Sequence, residues 1–191
     1  MDEAELFLEI EKAANLVLEG KTRDARQIYE RLSQEGSTDA KIQLGYLLLK
    51  GKGSEKDVSR AEILFREAAG DGSKLGKYYL GLLFQEIERF TDAFREIREL
   101  AETGYLPAVN RLGWFYEDGI GCEKDLRAAR HYRSHAATHG HFVAQRWLAE
   151  QMALGRDGFF LIPLGLVNYL QSVAKIFWFS LKYPNDPRVQ G

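Results

Sequence analysis

The chain has 191 residues, the size of one ordinary domain with an appendage. Its 26 basic and 28 acidic residues nearly balance, and the net charge of −2 argues against a nucleic-acid binder held by phosphate contacts. A single cysteine, Cys122, excludes an internal disulfide, and a hydrophobic content of 45% excludes a disordered tail.

The first twenty residues predict a helix of the folded body. Leu6, Ile10, Ala13 and Val17 recur at helical spacing. The segment begins with acidic residues and lacks both a basic region and a sustained apolar core, so it is not a signal peptide. We therefore expect the protein to reside in the cytoplasm.

An internal repeat organises the residues that follow. In four segments an alanine is followed eleven positions later by a glycine, and eight positions after that glycine comes a leucine. The repeat leucines are Leu44, Leu80, Leu112 and Leu148. Such a fixed period of about 30 to 40 residues is typical of solenoid proteins.

Each repeat unit is predicted to form two helices joined by a turn. A small residue four positions before the repeat leucine, and in the first three units a glycine directly after it, allow a neighbouring helix to approach closely. Gly72, Gly104 and Gly140 stand where a helix carboxyl end favours positive φ. In the two longer units, Asp57 and Asp125 are placed to cap the following helix.

At these residues the chain resembles Sel-one-like repeats, the SLR branch of the tetratricopeptide superfamily. The segments that carry the resemblance are LGYLLLKGKGSEKDVSRAEILFREAAGDG (44–72) and LGWFYEDGIGCEKDLRAARHYRSHAATHG (112–140). The resemblance covers residues 5–155 and implies an all-α, right-handed α-solenoid of about four helix-turn-helix units. It implies an adaptor that binds protein partners, with no catalytic residues. Some secreted relatives carry a disulfide in each repeat, and a chain with one cysteine departs from them.

The resemblance also places the first helix of each unit along a concave binding face. It implies exposed positions two residues before the repeat leucine and two or five residues after it. The candidate partner-binding residues at these positions are Tyr46, Tyr78, Leu82, Gln85, Asn110, Trp114, Glu117 and Arg146. Aromatic and arginine side chains are enriched at binding hot spots. These residues either line a peptide groove around the aromatic side chains or pack between neighbouring helices.

The remaining chemistry-bearing residues favour no catalytic, cofactor or metal site. His131, His135 and His139 are spaced by four and share a helix face, but no carboxylate or cysteine at suitable spacing completes a metal site. The glycine-rich loop GKGSEK lacks the spacing of a phosphate-binding loop. Cys122 takes the place of Ser54 in the equivalent loop, which is not the pattern of a nucleophile.

The segment 159–181 is much more apolar than the repeats. At about 1.5 Å per residue it is long enough to cross a bilayer core of about 30 Å. Its aromatic residues, typical of membrane interfaces, are Phe159, Phe160, Phe177, Trp178 and Phe179. Its polar residues Asn168, Gln171, Ser172 and Lys175 fall in one narrow arc of a helix.

Three arrangements of this segment are open. The helix spans or dips into a membrane with its polar stripe facing a partner or another helix; it lies in the membrane interface; or it folds back as a cap or oligomer contact. We therefore predict a repeat solenoid over 1–155, a hydrophobic membrane-associated helix over 156–183 and a short tail over 184–191.

The predicted function is a non-catalytic scaffold on the cytoplasmic face of a membrane. It binds a protein partner through the repeats, binds no nucleic acid, and is held at a membrane or membrane-protein complex by 159–181. The alternative is a soluble cytoplasmic adaptor whose last helix caps the solenoid or mediates oligomerisation. A third hypothesis, of another class, is a metal- or ligand-binding enzyme that uses the histidine face.

Overall fold

The computed structural model describes residues 2–154 and 162–182, and each regular element in these ranges is an α-helix. In chain order the helices α1 to α10 are Glu3–Leu18, Thr22–Gln34, Thr38–Lys50, Val58–Gly70, Lys74–Glu86, Phe90–Glu102, Leu106–Asp118, Leu126–Thr138, Phe142–Ala153 and Ile162–Lys182. The predictions of an all-α chain, of an amino-terminal helix and of paired repeat helices are confirmed.

The helices group into two compact units. The first unit ends at Arg89 and contains α1 to α5, and the second begins at Phe90 and contains α6 to α10. Within each unit, every helix packs against the next one along the chain. The predicted boundary between residues 155 and 156 lies in a segment outside the described residues, so it stays a prediction.

Side-chain caps start several of the repeat helices. The Ser37 and Ser73 hydroxyls accept hydrogen bonds from the backbone N–H three residues on, at 3.3 and 3.1 Å. The Asp57 and Asp125 carboxylates do the same at 2.9 and 3.0 Å, which confirms their predicted capping role. Nδ1 of His141 caps α9, accepting from a backbone N–H at 3.2 Å.

The glycine after the repeat leucine brings the two helices of a unit together. A Cβ added at Gly45 would lie 2.7 Å from the ring of Phe65, so no side chain fits there without a shift of that ring. A Cβ at Gly113 would overlap the side chain of Arg133 in the same way. The close approach predicted from these glycines is confirmed.

Helix α10 packs directly on α9, the last helix of the repeats. At the contact a Cβ on Gly165 would overlap the backbone of Met152 and Ala153. Because backbone cannot move aside as a flexible side chain can, Gly165 fixes how closely the two helices pack. The structure therefore places α10 against the unfinished last repeat.

No helix within 2–154 or 162–182 combines the length and the apolar character that crossing a membrane requires. Helix α10 has the length, but Asn168, Gln171 and Lys175 interrupt its apolar sequence. The predicted possibility that this segment spans a bilayer is therefore not supported. Phe159 and Phe160, which the prediction placed at one membrane interface, lie outside the described residues.

Replacing Gly165 with alanine is expected to loosen the packing of α10 on α9. The new Cβ overlaps backbone, and overpacking of this kind typically costs about 1–3 kcal/mol. Amide hydrogen exchange across 162–182 should accelerate. Gly70→Ala in α4 is the matched control because a Cβ there meets nothing within 4 Å. Equal exchange rates in the two variants would contradict this account of the contact.

Candidate protein-binding surface

In the first unit, helices α3 and α5 carry the predicted binding residues. Tyr46 is half-buried, with its ring 5.9 Å from that of Tyr79 in an edge-to-face arrangement. The Lys52 ammonium lies 5.4 Å from the centre of the Tyr46 ring. These two contacts hold the Tyr46 ring in place while part of it remains open to solvent.

The other predicted residues of the first unit differ in exposure. Leu82 and Gln85 are half-buried on α5. Tyr78 is only 1% exposed. The Tyr78 side chain therefore packs inside the unit. A partner that docks on this unit would meet Tyr46, Leu82 and Gln85.

In the second unit, α7 and α9 carry the equivalent residues. Trp114 is half-buried, and the Arg111 guanidinium lies 5.1 Å from its ring centre. Asn110 is 8% exposed, and within the described residues its Oδ1 has no hydrogen-bond partner. Glu117 is half-buried and Arg146 is exposed. The accessible residues of this unit are therefore Trp114, Glu117 and Arg146.

The position two residues before the repeat leucine is less exposed than the family resemblance implied. Ile42, Tyr78 and Asn110 are all buried there, and only Arg146 of the four is exposed. The position two residues after the leucine is partly open at Tyr46, Leu82 and Trp114, as expected. Direct contact of any of these residues with a partner stays a prediction.

A buried polar cluster in the second unit was not predicted from the sequence. Leu112 lies 68 residues after Leu44. The same offset relates Leu49, Phe65 and Tyr79 of the first unit to Glu117, Arg133 and Trp147 of the second. An apolar cluster in one unit thus becomes a charged one at equivalent positions in the other. Comparing the two long repeats position by position is the signal that would have found it.

The two clusters share a geometry despite their different chemistry. In the first unit the rings of Phe65 and Tyr79 stack, with centroids 5.5 Å apart and planes inclined by 16°. In the second unit the Arg133 guanidinium lies 4.3 Å from the centre of the Trp147 ring. Arg133 also donates a hydrogen bond to the Glu117 carboxylate. A planar cation therefore occupies the place of an aromatic ring.

The Arg133–Glu117 ion pair is partly removed from water, with the Glu117 side chain 28% exposed. The Arg133 side chain is 12% exposed. Burial lowers the pKa of the Arg133 guanidinium, and the charge of Glu117 and its hydrogen bond oppose that shift. A guanidinium stays charged even when its pKa is lowered, so the second unit retains a buried charge that depends on Glu117.

The histidines occupy two different environments. His131 and His135 lie on the exposed face of α8, and exposed His139 follows its last residue. The rings of His135 and His139 stack with centroids 4.1 Å apart. His141, in contrast, is buried and caps α9. Across residues 2–154 and 162–182, no group of three metal-ligating side chains is close enough to hold an ion.

Cys122 lies in the loop between α7 and α8. Its Sγ is 3.6 Å from the carbonyl oxygen of Phe115. Burial raises the pKa of the Cys122 thiol, which disfavours the thiolate form that acts as a nucleophile. Nothing in this environment activates the sulfur.

Helix α10 turns its polar residues toward the repeats. A cleft of about 230 Å³ between α8, α9 and α10 is lined from the α10 side by Asn168, Gln171, Ser172 and Lys175. The Ser172 hydroxyl donates to the carbonyl oxygen of Asn168 at 2.8 Å. The predicted polar stripe therefore faces the protein's own α9.

The opposite face of α10 is apolar and open to solvent. Its large side chains are between 40% and 70% exposed. They are Leu164, Leu166, Val167, Leu170, Val173, Phe177, Trp178 and Leu181. The side chain of Phe179 lies outside the described residues. An exposed apolar face of this extent is typical of an interaction site.

Comparison with known proteins places this arrangement among helical repeats. The profile of the Sel1 repeat family matches residues 38–73 and 106–141, the two long units. Protein sel-1 homolog 2 of Homo sapiens is 28% identical over 145 residues, which are 74% of this chain and 21% of that protein. The chain thus spans about a fifth of the length of this relative.

One solved structure agrees with this chain in fold. The crystal structure of a Sel1 repeat protein from Oxalobacter formigenes superposes with a TM-score of 0.67 at 21% identity, covering 95% of this chain and 83% of that one. A protective antigen of uropathogenic Escherichia coli with an SLR fold gives a TM-score of 0.41 at 18% identity, covering 91% and 47%. The predicted solenoid fold of SLR type is confirmed by the first of these.

Removing one partner of the buried ion pair is expected to destabilise the second unit. Glu117→Leu removes the hydrogen-bonded counter-charge of Arg133, leaving the charges of Glu150 and Asp118, and should lower the free energy of unfolding by about 1–3 kcal/mol. Glu117→Leu combined with Arg133→Phe recreates the residues of the first unit and should restore most of that loss. Urea unfolding of the single and double variants measures both values. Additive losses in the double variant would contradict the predicted coupling.

Proposed function

Because the chain belongs to the Sel1-like repeat family, we propose that it is a non-catalytic scaffold that binds a protein partner through the first helices of its repeats. The observation that carries the proposal is the pair Tyr46 and Trp114. These residues occupy the same repeat position, one in each unit, and both are partly open to solvent.

The environment of each ring favours binding. Lys52 beside Tyr46 and Arg111 beside Trp114 restrict the rings before a partner arrives. A ring held in place loses little conformational freedom on binding, so more of its contact area contributes to affinity. Tyrosine, tryptophan and arginine are also the residue types most common among binding hot spots.

Polar groups on the first helices of the repeats supply specificity. Within the described residues, Oε1 of Gln85 has no hydrogen-bond partner, and it neighbours Leu82 along α5. Arg146 is exposed on α9 in the second unit. The exposed guanidinium of Arg146 would donate hydrogen bonds to carbonyl or carboxylate oxygens of a partner.

Trp114→Ala is expected to weaken partner binding by about 2 kcal/mol or more, which is roughly a 30-fold loss of affinity. Affinity purification of the full chain from cells that express it, read out by quantitative mass spectrometry, identifies the proteins whose recovery falls. Ile63→Ala is the matched control, because Ile63 is 56% exposed on α4 and outside the proposed surface. Recovery of the same partners with Trp114→Ala and with Ile63→Ala would contradict the proposal.

The second element of the proposal is attachment by α10. Its polar side packs toward α9 while its apolar side stays exposed, which suits a helix lying in a membrane interface or against a membrane protein. The alternative is that the same apolar face joins two copies of the chain. The packing of α10 on α9 supports a capping role in either case.

A charge placed on the apolar face separates these two functions. The full chain is expected to float with phosphatidylcholine–phosphatidylglycerol vesicles in a density gradient, and Leu170→Glu combined with Phe177→Glu should keep it in the dense fraction. Leu170 and Phe177 are both exposed, so the two glutamates should leave the fold intact. A wild-type chain that does not float, but halves its mass in light scattering when the two glutamates are introduced, would establish the self-association alternative.

A further inference from the structure

Helix α8 differs in charge from the other second helices of the repeats. Its residues 126–138 contain no aspartate or glutamate. Helices α2, α4 and α6 each pair acids with bases along their own surface. These pairs are Arg26–Glu30, Glu62–Arg66 and Asp92–Arg95, at 3.0, 2.8 and 2.7 Å. Helix α8 is therefore cationic along its length.

Two arginines and two imidazoles of α8 are exposed and gathered on one face. Arg127, Arg130, His131 and His135 are all exposed. Together with Ser134 and Thr138 they line a shallow depression of about 530 Å³. We call these six residues the α8 basic face. Arg130 also borders a second cleft that contains Glu117 and Asp118, so acids lie at one edge of the face.

The equivalent positions in the first unit carry acids, together with Arg66 at the position of Ser134. At the 68-residue offset, Glu62, Glu67 and Asp71 occupy the positions of Arg130, His135 and His139. Three acids of the first unit are thus replaced by one arginine and two histidines in the second unit.

The first unit also supplies its own counter-charge to those acids. Lys41 of α3 lies 2.9 Å from the Asp71 carboxylate and 3.6 Å from that of Glu67. The residue equivalent to Lys41 in the second unit is Val109, which is uncharged. The second unit thus lacks both these acids and the lysine that pairs with them. Arg130 has an interaction within the protein, and exposed Arg127 is open to an external acidic group.

We propose that the α8 basic face binds a glutamate- and aspartate-rich segment of a protein partner. Two arginines offer bidentate hydrogen bonds to carboxylates, and the Ser134 and Thr138 hydroxyls and the imidazoles supply further donors. The face belongs to a second helix, so this contact is separate from the one proposed for Tyr46 and Trp114. Since the whole chain has a net charge of −2, the attraction is local to this face.

The test uses the full chain and a fluorescein-labelled octaglutamate peptide, with binding followed by fluorescence anisotropy at pH 7. We expect binding at low salt that weakens several-fold as the ionic strength rises, because exposed charges are screened. Arg127→Glu combined with Arg130→Glu should weaken binding about tenfold or more, since like charges then face the peptide.

A matched double variant on α4 serves as the control. Arg60→Glu combined with Arg66→Glu changes the net charge by the same amount at side chains that are 42% and 52% exposed, and it should leave peptide affinity within about twofold. Circular dichroism verifies that both variants fold. Should the α8 charge reversal unfold the chain, Arg127→Gln combined with Arg130→Gln takes its place, with a smaller loss expected.

Four outcomes would overturn the proposal. The first is no binding of octaglutamate at low salt, and the second is an equal loss of affinity in the α8 and α4 variants. The third is binding of phosphatidylglycerol vesicles through Arg127 and Arg130 with no binding of the peptide, which would assign the face to a lipid surface. The fourth is a loss of peptide binding in Trp114→Ala, used as a further control, which would place the peptide on the first-helix surface.

Discussion

Close contact between helices at glycine is the constraint on which the structure depends. Gly45 and Gly113 lie on the first helices of their units and have no side chain. One large side chain from the second helix of each unit therefore packs directly against the glycine. The group is the Phe65 ring in one unit and the Arg133 side chain in the other. Since the backbone spacing is set by the glycine, either group fits the same space. The chemistry of the repeat interior can therefore change while the helix arrangement is kept.

The helix pattern was predictable from sequence because it depends on short-range spacing. The repeat leucines, the capping residues Asp57 and Asp125 and the glycines at helix ends each specify local backbone geometry. Their positions in the structure agree with the prediction. The side that α10 presents to solvent was not predictable in this way. An amphipathic pattern specifies two faces, and which face is covered depends on what else packs there.

The binding surface shows the same limit. Sequence spacing marks Tyr46 and Tyr78 as repeat-surface candidates alike, yet Tyr46 is partly open and Tyr78 is buried. The difference arises from neighbouring helices rather than from the segment that contains each residue. The Arg133–Glu117 pair was likewise not predictable from the sequence, because each residue taken alone is typical of a solvated helix surface. Only the comparison with Phe65 and Leu49 shows that these positions are interior.

The cap on α9 is an imidazole, a group that can gain a proton. Where α3, α4, α5 and α8 begin with a hydroxyl or carboxylate acceptor, α9 begins with the imidazole of His141. Nδ1 of that ring accepts from a backbone N–H, so its proton resides on Nε2. Adding a second proton converts the acceptor into a donor and sets two N–H groups against each other. Because α10 rests on α9, the helix that supports it begins at an acceptor that only a neutral imidazole offers.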